Sequence, residues 1–290
     1  MPDARVQAAI DNWAPRFVAQ GVDYNEFVRT TSQLERWEDW LDVWVAAGDV
    51  HTTLAMEAER RGHIVTAGEA YVRAALCYHF AKFVWMLDLQ RHRAAADRAV
   101  ASLYAAHRCL DPSAERIEAS FDGARLFANL RRPGAPQAPP LVILLPGLDS
   151  TKEEFFYWEE IFLKRGMATL SLDGPGQGET GYRTHIRPDY EVAVGAALDA
   201  LSSRNDLDLQ RVGAVGVSLG GYYAPRAAAF EPRLKAVVAI GGPYDFGDCW
   251  PRLPAITREA FQHHSGSSND SEAEQRAHEL NLSLVLSRVT

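Results

Sequence analysis

Apolar positions along the chain follow two different rhythms, and the change falls near Glu115. Upstream they recur at helical spacing. Leu34, Trp37, Leu41, Trp44 and Val45 mark one face, and Ser32-x-x-Glu35 ahead of them reads as a capping box. A second box, Thr66-x-x-Glu69, introduces YVRAALCYHFAKFVWML, which is apolar around most of its circumference and so predicts a buried helix. A third helix is predicted from about Arg93 to Arg108, before Asp111-Pro112. The helix pair around Gly62 resembles one hairpin of a repeat. No second copy follows at a fixed period, so a solenoid is not expected.

Downstream the period shortens. Ile117, Ala119 and Phe121 alternate, as do Ala124, Leu126 and Ala128, with Asp122-Gly123 between them, a hairpin signal. After the Pro-rich RRPGAPQAPP, short apolar runs alternate with helical patterns. Strands are expected at 141–145, 167–172, 212–217 and 234–240, and helices from about Thr151 to Arg165, at 189–204 and at 219–230. Continuous apolar strands between helices predict a mostly parallel sheet with helices on both faces. Residues 243–276 turn polar and read as a mobile, lid-like insertion. The closing AHELNLSLVLSRVT reads as a helix or the approach to another strand. The expected organisation is an N-terminal helical domain over 1–114 and an α/β core over 115–290.

Bulk properties narrow the function. The net charge of −8 is spread evenly, leaving no basic face for nucleic acid and disfavouring an anionic membrane surface. The start lacks the basic and apolar regions of a secretory signal. No apolar run reaches the roughly 20 residues of a bilayer span. Three cysteines without C-x-x-C spacing suggest a reducing, cytoplasmic setting.

The chemistry concentrates in Gly216-Val217-Ser218-Leu219-Gly220. A G-x-S-x-G pattern between a strand and a helix predicts a nucleophile elbow. Ser218 would be the nucleophile, and Gly216 and Gly220 would make room for the sharp turn. The strand at 141–145 ends in Pro146-Gly147-Leu148-Asp149-Ser150. An oxyanion hole would pair the N–H groups of Leu148 and Leu219. Asp173-Gly-Pro-Gly-Gln-Gly-Glu179 only loosely matches a dinucleotide loop, since its third glycine is misplaced. It reads as a rigid loop beside the elbow. The early tryptophans could supply a helical core or line a cavity, and His79 could be a core histidine or face that cavity. His263-His264 lacks nearby cysteine or clustered carboxylate, so no metal is expected.

A helical N-terminal domain followed in order by PGLDSTKEE, LDGPGQGE and GVSLGG resembles α/β-hydrolases of the dihydroxypseudooxynicotine hydrolase type and related fungal polyketide-shortening hydrolases. The resemblance implies the α/β-hydrolase fold, a helical cap and a homodimer through that cap; the sequence departs from it in that no strand is expected after 234–240, so the C-terminal strands of the fold are missing from the expected elements. It also implies a serine hydrolase that cleaves a small-molecule ketone, at a carbon–carbon bond, or an ester, without a cofactor. Triad order in this fold is serine, acid, histidine. Within the chain only Asp245, or its neighbour Asp248, with His263, His264 or His278 could follow Ser218, and Asp245 with His263 or His264 would preserve that order as a substitute pair. The principal expectation is that the usual acid and base lie beyond residue 290, which would leave an open sheet edge prone to aggregation. A non-catalytic binding or assembly module and an acyltransferase using the same elbow are the alternatives.

Overall fold

The computed structural model describes residues 3–134, 137–283 and 285–289. Ala135 and Pro136 of the Pro-rich connection, and Leu284 and Thr290 of the closing stretch, lie outside the described residues. The chain divides into two compact units. One comprises 1–114 with Glu153–Trp158 and Pro254–Ile256; the other comprises the remainder.

The first unit is built from α1 (Ala4–Ala19), α2 (Tyr24–Thr31), α3 (Trp40–Arg60), α4 (Ile64–Lys82) and α5 (Leu89–Leu110). Neither predicted capping box forms. Ser32 closes α2, and its hydroxyl donates to the Arg29 carbonyl. The helix expected after it starts instead at Trp40, beyond a 3₁₀ turn over Trp37–Asp39. Thr66 falls inside α4, which opens two residues after Gly62 reverses the chain at φ +78°. The side chains that cap here are Asp3, Asp23 and Asp88, each accepting from backbone N–H groups one turn on.

The tryptophans form a core. Trp37, Trp40, Trp44 and Trp85 are fully buried with Phe17 and Phe80, and the last two stack with centroids 3.6 Å apart. Trp40 Nε1 donates to the Phe80 carbonyl and Trp85 Nε1 to that of Trp37, so burial leaves these indoles satisfied. His79 is a core histidine. Its Nε2 lies 3.1 Å from Glu154 Oε2, and Arg16 donates to both oxygens of that carboxylate at 2.7 Å.

The second unit carries one six-stranded sheet: β1 (Glu115–Phe121), β2 (Ala124–Arg131), β3 (Pro140–Leu145), β4 (Ala168–Asp173), β5 (Asp208–Val217) and β6 (Leu234–Ile240), in the order β1-β2-β4-β3-β5-β6. The β1–β2 hairpin turns through Asp122 and Gly123, both at positive φ. β2 joins β4 antiparallel; β4, β3, β5 and β6 run parallel. The apolar runs of β3 and β4 are buried along nearly their whole length, as strands covered on both faces must be. α6 (Phe156–Leu163), α7 (Gly178–Gly181), α8 (Glu191–Ala200) and α9 (Gly220–Ala228) follow in the connections.

Residues 243–276 are not irregular. They hold a 3₁₀ segment, Gly247–Arg252, then α10 (Ala255–Ser265) and α11 (Asp270–Glu279). Phe246, Trp250 and Phe261 pack together at ring separations of 5.0 and 5.6 Å. The polar SGSSND run supplies a helix cap, because Asn269 Oδ1 accepts from Glu272 N–H. Beyond α11 the described residues make an antiparallel bridge, Asn281 to Asp245, and a 3₁₀ turn at Leu286–Arg288. The outer strand β6 leaves Val238 and Ile240 50% and 43% exposed.

Candidate active site

Parallel pairing brings three loops together. β3 lies between β4 and β5, and the chain moves from β4 on one side of it to β5 on the other. Ligands bind outside the carboxyl ends of parallel strands at such a switch point. The loops leaving β4, β3 and β5 are DGPGQGE, PGLDS and SLGG, the three stretches singled out by sequence.

Ser218 adopts φ +56°, a left-handed conformation that a serine holds only when its surroundings impose it. Its N–H donates to the Ile240 carbonyl at 2.8 Å, tying the turn to β6. The flanking glycines are sterically required. A Cβ on Gly216 would stand 1.8 Å from the Gly220 carbonyl oxygen, and one on Gly220 would stand 2.1 Å from that of Leu145. The result is an exposed hydroxyl at the start of α9, where helix N–H groups favour developing negative charge.

Gly147 packs directly on Ser218. A Cβ there would lie 3.0 Å from Ser218 Cβ and 3.3 Å from Ser218 Oγ. Leu148 and Leu219 follow Gly147 and Ser218. Among the described residues neither N–H is engaged in a hydrogen bond.

The pair Asp245 and His263 is not brought together by any hydrogen bond or ion pair. Asp245 accepts from Asp248 N–H and the Asn281 side chain, and its nearest imidazole is His278, 3.7 Å away. His263 lies in α10 with its ring against His264. His264 is buried and pairs with Asp149 at 2.9 Å, next to Leu148. Among the described residues, no imidazole hydrogen-bonds Ser218 Oγ.

Polar groups that sequence reasoning passed over hold the loops in place. Lys152 is fully buried; its Nζ donates to Asp173 Oδ2 at 2.8 Å and Glu179 Oε2 at 2.7 Å, and its N–H to Asp173 Oδ1. Arg116 grips Glu179 with two further bonds. Burial raises the Glu179 pKa, but the Lys152 and Arg116 charges outweigh it and hold the carboxyl below its usual range. Gln177 links the β4 loop to the carbonyls of Pro146 and Gly147. The charged residues inside PGLDSTKEE and the lone amide inside DGPGQGE were the available signals, since such groups are rarely buried without a partner.

The model of the FrsA-like esterases matches residues 23–246. The chain belongs to the FrsA-like esterase family. This FrsA-like chain is 38% identical over 270 residues to the 2,6-dihydropseudooxynicotine hydrolase of Paenarthrobacter nicotinovorans, covering 92% of this chain and 71% of that protein. It is 32% identical over 243 residues to a 20-hydroxy-prefusarin hydrolase of Gibberella moniliformis, covering 78% of this chain but only 58% of the relative. The solved structure of 2,6-dihydroxy-pseudo-oxynicotine hydrolase superposes with TM-score 0.86 at 36% identity, covering 96% of this chain and 78% of that one. AbyA5, at 24% identity and TM-score 0.71, shares the fold. The FrsA-like chain therefore has the α/β-hydrolase fold with a helical N-terminal region, and its relatives are hydrolases. No helix among the described residues is long and apolar enough to cross a membrane.

Proposed function

We propose that this FrsA-like chain carries the nucleophile and oxyanion site of a serine hydrolase acting on a ketone, at a carbon–carbon bond, or on an ester. The observation that carries the reading is the strained Ser218 elbow packed against Gly147, with two unengaged N–H groups on the following residues. Ser218 Oγ would attack the carbonyl carbon, forming an acyl-enzyme as the C–C or C–O bond breaks. Charge on the carbonyl oxygen would rest on the N–H groups of Leu148 and Leu219. In the carbon–carbon case the leaving group departs as a carbanion, so it needs an electron-withdrawing neighbour and a proton. The hydroxyl proton must pass to a histidine, which no described residue supplies in this geometry. The names of the relatives support a ketone or ester substrate and fix neither.

A fluorophosphonate probe tests this. Stoichiometric labelling that maps to Ser218 and vanishes in Ser218→Ala is expected. A folded chain that takes up no label even with imidazole added as an external base overturns the hydrolase reading for this chain. That result would favour a binding module.

A further inference from the structure

The oxyanion donor at Leu148 depends on a peptide plane, and one side chain holds that plane. Gln177 is buried, and every hydrogen-bonding site of its amide is used. Nε2 donates to the carbonyls of Pro146 at 2.8 Å and Gly147 at 2.7 Å. Oε1 accepts from Gly174 N–H at 2.9 Å and from the Tyr190 hydroxyl at 2.8 Å. Carbonyls can only accept and a backbone N–H can only donate, so the amide has one allowed orientation. Tyr190 is itself fixed, fully buried and stacked on Tyr223 with centroids 3.9 Å apart. Gly174 permits this approach, because a Cβ there would stand 2.1 Å from Tyr190 Oη.

The chain has no cis peptide among its described residues. In a trans peptide the carbonyl of one residue and the N–H of the next point in opposite directions. Drawing the Gly147 carbonyl toward Gln177 therefore turns the Leu148 N–H the other way. Gly147 itself packs on Ser218, so that N–H is offered beside the nucleophile.

We propose that Gln177 is a positioning residue for the reaction, aiming the Leu148 N–H at the developing oxyanion by anchoring the Gly147 carbonyl. The proposal rests on the serine hydrolase reading above. Gln177→Glu is the sharpest perturbation. It keeps length and acceptor oxygens toward Gly174 and Tyr190, but replaces the donor toward Pro146 and Gly147 with an oxygen that repels both carbonyls. Loss of an oxyanion donor costs about a hundredfold to a thousandfold. Misaiming one should lower the maximal rate of fluorophosphonate labelling about tenfold to a hundredfold.

The test measures labelling rate against probe concentration for the wild type, Gln177→Glu and Tyr190→Phe, alongside thermal unfolding. Expected are a lowered maximal rate with unchanged half-saturation in Gln177→Glu, and a near-wild-type rate in Tyr190→Phe, which keeps both bonds to the Pro146 and Gly147 carbonyls. Wild-type labelling kinetics in a folded Gln177→Glu overturn the positioning role and leave the hydrolase reading intact. Equal rate losses in both variants, tracking their loss of stability, also overturn it. A wild type left unlabelled even with imidazole added overturns the hydrolase reading and this inference with it. Should Gln177→Glu not fold, a crystal structure of the phosphonylated wild type decides. The phosphonyl oxygen should sit on the Leu148 N–H with Gly147 still bonded to Gln177; an oxygen held elsewhere refutes the role.

Discussion

Replacing Lys152 with methionine removes the one lysine from a buried ionic cluster of the sheet unit. Lys152 and Asp173 are both fully buried, and the ammonium bridges Asp173 and Glu179 at 2.8 and 2.7 Å. Methionine preserves length and removes the cation. Glu179 retains two bonds from Arg116, so the larger penalty falls on Asp173, whose Oδ2 loses the ammonium while Oδ1 keeps the N–H of residue 152. Breaking a buried pair from one side typically costs about 3–5 kcal/mol, because an uncompensated charge stays behind. For a folding unit of this size each kcal/mol shifts the midpoint by about 2–4 °C, so Lys152→Met should lower it by about 6–20 °C. Denaturant titration gives the free energy and calorimetry the midpoint. Adding Asp173→Asn should recover a substantial part of the loss, since neighbouring groups in one network are not additive. A single-variant cost below about 1 kcal/mol, or a double variant no better than the sum of its parts, would show that the cluster is not held as argued.

Three further outcomes are expected. Gly220→Ala drives a Cβ to 2.1 Å from the Leu145 carbonyl oxygen, and since backbone cannot yield cheaply it should cost about 1–3 kcal/mol and abolish Ser218 labelling; a stable, labelled variant contradicts the elbow geometry. Burial alone would raise the Glu154 pKa, but Arg16 and His79 outweigh it and hold it at about 2, below its ordinary 4.5. A carboxyl lowered on folding contributes stability that is present above pH 4.5 and lost as pH falls toward 2, here on the order of 3 kcal/mol. Burial also lowers the pKa of His79 below 6.5, so its contribution is likewise present above that pH and lost on acidification. Tryptophan fluorescence should report acid unfolding of the helical unit, and an unchanged acid profile in Glu154→Gln would refute the assignment. Val238→Lys with Ile240→Thr should reduce concentration-dependent light scattering, because an exposed apolar outer strand invites pairing; unchanged scattering would show that association lies elsewhere.

Features with local causes were legible in the sequence. The β1–β2 hairpin follows from Asp122-Gly123, and β3 and β4 from uninterrupted apolar runs that only two-sided burial explains. The elbow was legible because a serine between two glycines at a strand end has few other uses. The helices of residues 243–276 were hidden by their polar composition. Phe246, Trp250 and Phe261 are spread over 16 residues and meet only after folding. The capping boxes failed for a related reason. Ser32 and Thr66 fit the local pattern, but packing of Trp37, Trp40 and Trp44 set where α3 begins. The contacts of Gln177 with Gly147, and of His264 with Asp149, span 30 and 115 residues. Neither is readable before the strand order is known.

The strand order also explains why the two most distinctive stretches of the chain hold so little chemistry of their own. PGLDSTKEE and DGPGQGE lie at the ends of neighbouring strands β3 and β4, and their polar side chains turn inward toward one another. Buried polar groups are tolerable only when their partners are complete, and a complete set leaves few alternative arrangements. Lys152 and Gln177 thus spend their bonds on holding two loops in one register. On the proposed reading, the groups offered to a substrate are the N–H groups of Leu148 and Leu219 and the hydroxyl of Ser218. On that reading the two loops fix where negative charge is received, and side chains around them would select the substrate.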